Sequence, residues 1–264
     1  VEQLCEPFYS KYARDSIPPG RYFRMLLVGY FEEIDSQRGI AWRCSDSLSL
    51  RNFLFLGAAE ESPDHSSLTK IRQRLPLFVH EQVFAFVLEI AREKQLLVGR
   101  LVGVDATTLE ANAAMKSIVR RDTGEDWEEY IRGLMKQEGI ENPTKEEMRR
   151  FDKKRQGKKV SNEDWVSSRD SDSRVTRMKY GRTHLAYKAE NVIDLETELI
   201  LAACIRHADE SDTQTLADSV VEAQTHLNEA EHEKHIEEVE ADKGYHSTDQ
   251  LERCQWLGLR TYVP

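Results

Sequence analysis

A mixed α/β domain preceded by an all-helical one is what the sequence predicts, on three observations. Up to residue 97, apolar residues recur at helical spacing without the alternation of strands. Beyond residue 98, short apolar runs and alternating stretches take over, separated by turn residues. Two of these runs stop on an aspartate: Leu101-Val102-Gly103-Val104 ends on Asp105, and Ile236 to Ala241 ends on Asp242.

A chain of 264 residues is long enough for one large domain or two ordinary ones with real cores. Charged residues make up 32% and the hydrophobic set 39%, a polar but globular balance. No apolar run approaches the ~18 residues of a membrane helix, and no basic-then-apolar signal pattern opens the chain, so the cytoplasm is the expected location and no membrane partner is expected. Cys5, Cys44, Cys204 and Cys254 lie far apart and form no Cys-x-x-Cys pair, which argues for reduced thiols rather than zinc or a disulfide framework.

The net charge of −10 hides an asymmetry. Lys145 to Lys188 holds 14 Lys and Arg against 7 Asp and Glu, whereas Ala189 to Pro264 holds 5 against 18. The basic block is where a polyanion would bind; a solvated insertion with locally paired charges is the competing reading.

The helical part opens with Arg21 to Ile34, where Tyr22, Phe23, Leu26, Leu27, Tyr30, Phe31 and Ile34 make a broad apolar face. Leu48 to Leu56 is a second, short helix. His65 to Leu75 is a third helix, with Asp64 or a following Ser as N-cap and Leu68, Ile71 and Leu75 inward. Two short helices around such a turn look like a helix-turn-helix, and Lys70, Arg72 and Arg74 lie off the apolar stripe, available for DNA phosphates. Phe78 to Leu97 is a long amphipathic helix carrying Phe78, Val83, Phe86, Val87, Ile90 and Leu97. These elements define a helical DNA-binding domain at 1–97 and an α/β domain at 98–264, with a charged insertion at 116–180.

Within the second domain, Leu101 to Asp105 is a buried strand that delivers a carboxylate, although Asp105 as a cap on the next turn is the rival explanation. Trp127, Tyr130, Ile131 and Leu134 give the insertion a modest apolar face, and Gly157 among Lys-Lys and Lys-Arg pairs predicts a mobile stretch near 153–162. Leu185, Tyr187 and Ala189 alternate with polar residues, and Leu199 to Ile205 reads as a buried strand. Ser211-Asp212-Thr213-Gln214 fits a capping box opening a helix with Leu216, Val220, Ala223 and Leu227 on one side. Ile236 to Ala241 is a strand leading into Asp242, Gln250 to Leu257 a helix, and Leu259 to Val263 a last strand.

Two aspartates at neighbouring strand ends suit Mg²⁺ or Mn²⁺, because hard divalent cations prefer carboxylate oxygens. Two such ions about 3.5 to 4 Å apart activate a water or hydroxyl and stabilise the leaving oxygen of a phosphoryl displacement. Arg174, Lys179 and Arg182 are candidates for gripping a DNA backbone, Lys153, Lys154, Lys158 and Lys159 less sharply so, and Lys243 and His246 flank Asp242 where a phosphate would sit. His226, His232 and His235 fit a solvated helix face better than a zinc site.

Val104-Asp105-Ala106-Thr107-Thr108-Leu109-Glu110-Ala111-Asn112-Ala113 resembles the first-aspartate motif of DDE transposases from prokaryotic insertion sequences, and Glu240-Ala241-Asp242-Lys243-Gly244-Tyr245-His246-Ser247 their second. Asp170 to Arg174, Gly181 to Ala189, Ser211 to Thr215 and Pro63 to Arg72 are similar to further stretches of that family, in the same order along nearly the whole chain. The resemblance implies a ribonuclease-H-like core behind a helical DNA-binding domain. It implies Mg²⁺- or Mn²⁺-dependent nicking and strand transfer, with two ions, at terminal inverted repeats and target sites in double-stranded DNA, by a homo-oligomer. Asp105 and Asp242 match the first two metal ligands. The third, a glutamate in a Tyr-x-x-Arg-x-x-x-Glu pattern on a later helix, has no counterpart, and the sequence stops near the fifth strand, so the expectation is a partial catalytic domain. A non-catalytic DNA-binding remnant or inhibitor of transposition stays open as the alternative.

Overall fold

The computed structural model describes residues 1–10, 16–57, 59–156, 161–178 and 180–264. They form two compact units, Val1–Val87 and Leu88–Pro264.

The elements of the first unit are helical: α1 (Glu2–Cys5), α2 (Pro19–Phe31), α3 (Gln37–Asp46), α4 (Leu48–Phe53), α5 (His65–Arg74) and the start of α6 (Leu77–Glu93). Pro19 suits the first turn of α2, where its missing N–H has no partner to lose. Side chains of Ser36, Ser47 and Asp64 accept backbone N–H groups at the starts of α3, α4 and α5. Tyr22, Met25, Ile40, Cys44, Leu68 and Ile71 are buried in one core, and the inward positions expected for α5 are found.

Four sequence expectations change here. In α2 the inward residues are Tyr22, Met25, Val28 and Gly29, whereas Leu27, Tyr30 and Phe31 are exposed. The helix is apolar on several sides, so its pattern does not fix its rotation; α3 does, by seating Ile40 Cδ1 only 2.5 Å from where a Cβ on Gly29 would lie. The sequence reading contains no helix at α3, whose inward set of Ile40, Ala41 and Cys44 makes a short stripe beside an exposed Trp42. In α6, Val79, Ala85, Leu88 and Ala91 are buried while Phe78, Phe86 and Val87 are about half exposed. The division between units falls inside α6 rather than near residue 98, and Arg92 Nη1 ties the far end of that helix to the Glu231 carbonyl at 2.8 Å.

The second unit is built on a mixed six-stranded sheet: β1 (Leu101–Glu110), β4 (Arg174–Arg177), β5 (Thr183–Asp194), β6 (Ile200–His207), β7 (Glu238–Ala241) and β8 (Arg260–Tyr262). β5 runs antiparallel to β1 along one edge and to β4 and β6 along the other. β7 and β8 extend the sheet on the far side of β1, both parallel to it. Between β1 and β4 the chain builds a separate two-stranded sheet, β2 (Ile118–Arg120) with β3 (Trp165–Ser167), and the helices α7 (Trp127–Gln137) and α8 (Lys145–Lys154), each opened by a capping box. The insertion expected at 116–180 therefore returns to the main sheet as β4 before it ends. Residues 157–160, within the stretch expected to be mobile, lie outside the described residues, as do Lys158 and Lys159.

One face of the main sheet is covered by α9 (Asp212–Glu229), with α10 (Thr248–Trp256) beside it. Val102, Val104, Val192, Leu201, Val239 and Ala241 meet Leu216, Val220, Ala223 and Leu227 in a buried layer, as the periodicity of α9 predicts. Burying such branched side chains stabilises the fold by roughly 1.5–3 kcal/mol each. Ser211 and Gln214 form the expected capping box. No described helix is long and apolar enough to cross a membrane.

Candidate active site

Alternation along the strands sorts the residues of the sheet. Val102 and Val104 of β1 pair with Val239 and Ala241 of β7, all four buried under α9. The residues between and just beyond them, Gly103, Asp105, Glu240 and Asp242, therefore face the other way. Asp105 and Asp242 each follow the last paired residues, Val104 and Ala241, and together line one cleft of about 400 Å³ with Gly103, Ile193, Leu195 and Glu240. A larger hollow of about 610 Å³ lies between α7 and α8 and holds neither aspartate.

Asp105 is not the end of its strand, since β1 continues to Glu110, paired with β5 throughout. Asp105 Oδ1 accepts from the Ala106 N–H at 2.8 Å, which fixes the carboxylate on its own backbone. Asp242 opens a 3-10 turn, Lys243–Tyr245, and its Oδ1 accepts from the Gly244 N–H at 2.7 Å. In both carboxylates one oxygen is held by a nearby backbone N–H, and both residues line the cleft. Among the described residues, no group of three or more His, Cys, Asp and Glu is arranged to hold a metal ion, and Glu240 lines the cleft without completing one.

The cations expected to touch DNA differ in their freedom. Lys70 and Arg72 are exposed on α5. Arg74 is exposed too, but its guanidinium lies 5.0 Å from the Tyr9 ring centroid and donates to Ser16 Oγ at 3.2 Å. Arg174 is a correction: its Nη1 donates to the carbonyls of Ser171, Asp172 and Ser173 at 2.9–3.2 Å, and its Nε lies 3.9 Å from Asp209. With its side chain 17% exposed, it ties the start of β4 to neighbouring loops instead of facing solvent. Arg182 is exposed in the turn before β5, Lys243 and His246 are exposed beside Asp242, and Lys179 lies outside the described residues. On α8 the outward residues Arg149, Arg150, Lys153 and Lys154 form a basic face, since Met148 and Asp152 point inward. Two of the three clustered histidines are engaged with backbone, His226 Nδ1 with the Leu201 carbonyl at 2.8 Å and His232 Nε2 with the Val98 carbonyl at 3.0 Å.

Sequence reasoning missed the charged residues behind the site. Leu185, Tyr187 and Ala189 suggest that Lys188 and Glu190 point to solvent, yet Lys188 and Glu190 are 6% and 0% exposed, turned towards α9. The available signal was the Thr215 and Ser219 pair on the apolar side of α9, hydroxyls that need partners when buried.

Residues 1–74 match the family model described as Transposase domain (DUF772). No curated protein matches the chain. Among solved structures, the Mos1 transposase paired-end complex with left transposon end is similar at 8% identity and a TM-score of 0.30, over 96% of this chain and 62% of that one. The Mos1 mariner paired-end complex with Mn is similar at 10% identity and a TM-score of 0.29, over 98% of this chain and 65% of that one. The chain thus spans less than two thirds of the Mos1 chains, and likeness at these scores carries no argument about its site.

Proposed function

We propose that this chain is the DNA-binding and DNA-cutting part of a transposase of the DDE type, with a ribonuclease-H-like core in which Asp105 and Asp242 hold catalytic Mg²⁺ or Mn²⁺. The observation that carries the reading is the meeting of these two carboxylates, 137 positions apart in sequence, on one cleft at adjacent strand ends. The transposase-domain match over residues 1–74 supports it independently. So does the sheet, with β6, β5 and β1 antiparallel, β7 and β8 parallel to β1, and a helix before each of the last two strands.

The donor set fits a hard divalent cation, which often binds through one or two carboxylates, water and substrate phosphates. When bound, such an ion activates the attacking oxygen and stabilises the leaving one in phosphoryl transfer. The chain's own part is to fix the two carboxylates through the Ala106 and Gly244 N–H groups at the edge of the cleft that they line. Lys70, Arg72, Arg74, Arg182, Lys243 and the basic face of α8 supply phosphate contacts with double-stranded DNA at transposon ends and target, on which the protein acts as a homo-oligomer. The same role for Lys179 rests on sequence alone. The alternative, a non-catalytic DNA-binding remnant or inhibitor of transposition, is favoured by one fact: among the described residues no third ligand completes the metal shell.

Asp105→Asn and Asp242→Asn test the reading in the full-length protein. Losing several kcal/mol of charge stabilisation lowers metal-dependent end cleavage by about 10³-fold or more, while gel-shift affinity for the ends stays within about twofold. Loss of binding in step with cleavage, or full cleavage by either variant, refutes it. End binding without any metal-dependent cleavage by the wild type supports the alternative.

A further inference from the structure

Behind the cleft, on the α9 side of the sheet, lies a buried charge cluster centred on Glu190. Its Oε1 accepts from Thr215 Oγ1 at 2.7 Å and Tyr245 Oη at 3.0 Å and pairs with Lys188 Nζ at 2.9 Å. Its Oε2 accepts from Ser219 Oγ and lies 3.3 Å from Arg206 Nε. Lys188 Nζ also reaches Asp212 Oδ1 at 2.7 Å, at the first residue of α9, and lies 5.7 Å from the Tyr245 ring centroid. A fully buried carboxylate is tolerable only when its lone pairs are met, and here β5, β6, α9 and the turn after β7 all contribute donors.

Among these donors Tyr245 belongs to the turn that carries Asp242, whereas Lys188 approaches that turn through Asp212. Tyr245 closes the turn that Asp242 opens, and its side chain is buried. Burial and then the neighbouring Glu190 carboxylate push the phenol up, so it stays protonated and donates. Burial raises Glu190, but the hydrogen bonds from Ser219, Lys188 and Thr215 outweigh it and hold the carboxyl below its ordinary value. The bond between them is charge-assisted, the stronger and more directional kind. The turn itself has little slack, since a Cβ on Gly244 would lie 2.8 Å from Asp242 Oδ1 and 3.3 Å from Asp212 Oδ2.

We infer that Glu190, acting through the Tyr245 hydroxyl, is a positioning residue that sets the direction in which Asp242 enters the cleft. Its consequence for metal binding rests on the function proposed above; the positioning itself does not. Alanine at Glu190 would leave Lys188 with Asp212 and Thr215 and take the carboxylate from the half-buried Arg206, disturbing the whole cluster at once, so the informative variant is Tyr245→Phe, which keeps the ring and removes only the hydroxyl. Ser219→Ala is the control, because it removes a different donor from the same carboxylate, one that does not reach the turn.

Hydrogen exchange is read at the amides of Gly244, Tyr245 and His246, with Mn²⁺ affinity measured alongside by electron paramagnetic resonance. Tyr245→Phe speeds exchange at these amides about tenfold or more and weakens Mn²⁺ binding, while Ser219→Ala changes both less than about twofold. Equal effects of the two variants on the turn, or none from Tyr245→Phe, overturn the inference and leave Glu190 a structural charge. A turn loosened only by Tyr245→Phe in a protein that binds no Mn²⁺ upholds the positioning and removes the metal reading.

Discussion

Replacing Asp194 tests how β1 is held where it must present Asp105. The Asp194 carboxylate is fully buried at the end of β5, with Oδ2 accepting from the Val98 and Gly99 N–H groups at 3.0 and 2.8 Å and Oδ1 from the Glu196 N–H at 3.0 Å. These bonds join the chain entering β1 to the hairpin leaving β5, where Val102 pairs with Asp194 itself. In Asp194→Ala the Gly99 N–H, which is buried, loses its partner outright at a cost of about 1–3 kcal/mol, and the two part-buried donors add less. The total is about 3–5 kcal/mol, a large part of the ~5–15 kcal/mol that holds a typical domain. Asp194→Asn keeps one acceptor oxygen and loses roughly half as much.

The assay is urea unfolding at pH 7 followed by circular dichroism, with the m-value checked for constancy. Burial raises Asp194, but the N–H groups of Gly99, Val98 and Glu196 outweigh it, so its folded-state pKa is lowered. A lowered carboxyl contributes stability that is present above the unfolded value of about 3.9 and is lost as pH falls through the folded one. The gap between wild type and Asp194→Asn therefore narrows on acidification. A loss below about 1 kcal/mol in Asp194→Ala, or a gap that widens as pH falls, refutes the reasoning.

Two further outcomes follow from the same structure. Arg72→Ala lowers the salt dependence of DNA binding by about 0.9 in the slope of log K against log salt, whereas Arg174→Ala costs about 1–3 kcal/mol of stability and leaves the slope unchanged; titrations at several salt concentrations and urea unfolding separate them. All four thiols are buried, and burial pushes Cys44 up to about 11 and Cys204 up to about 12, so a disulfide reagent at pH 8 reacts with all four only after unfolding. Stability from these raised thiols is complete below the unfolded pKa of about 8.5 and is lost as pH rises through about 11 and 12.

The strands around the two aspartates were legible because their signals are local: an apolar run ending on Asp105, another ending on Asp242, and a Ser-Asp-Thr-Gln box that caps whatever helix follows it. The rotations of α2 and α6 were not, since helices apolar on several sides take their inward face from their neighbours, as Gly29 takes Ile40. Arg174 illustrates the same limit for charge, because nothing in its sequence neighbourhood shows that three carbonyls and Asp209 surround it.

By itself, the sequence determined which residues carry oxygen ligands and basic charge, and which short segments become strands or helices, because side-chain chemistry, caps and periodicity act over a few residues. Only the tertiary structure decided that Asp105 and Asp242 face one cleft and that Lys188 and Glu190 turn inward to meet α9 and Tyr245. Strand order and register are set by packing across the whole sheet, and a shift of one residue in either strand would send its carboxylate to the opposite face.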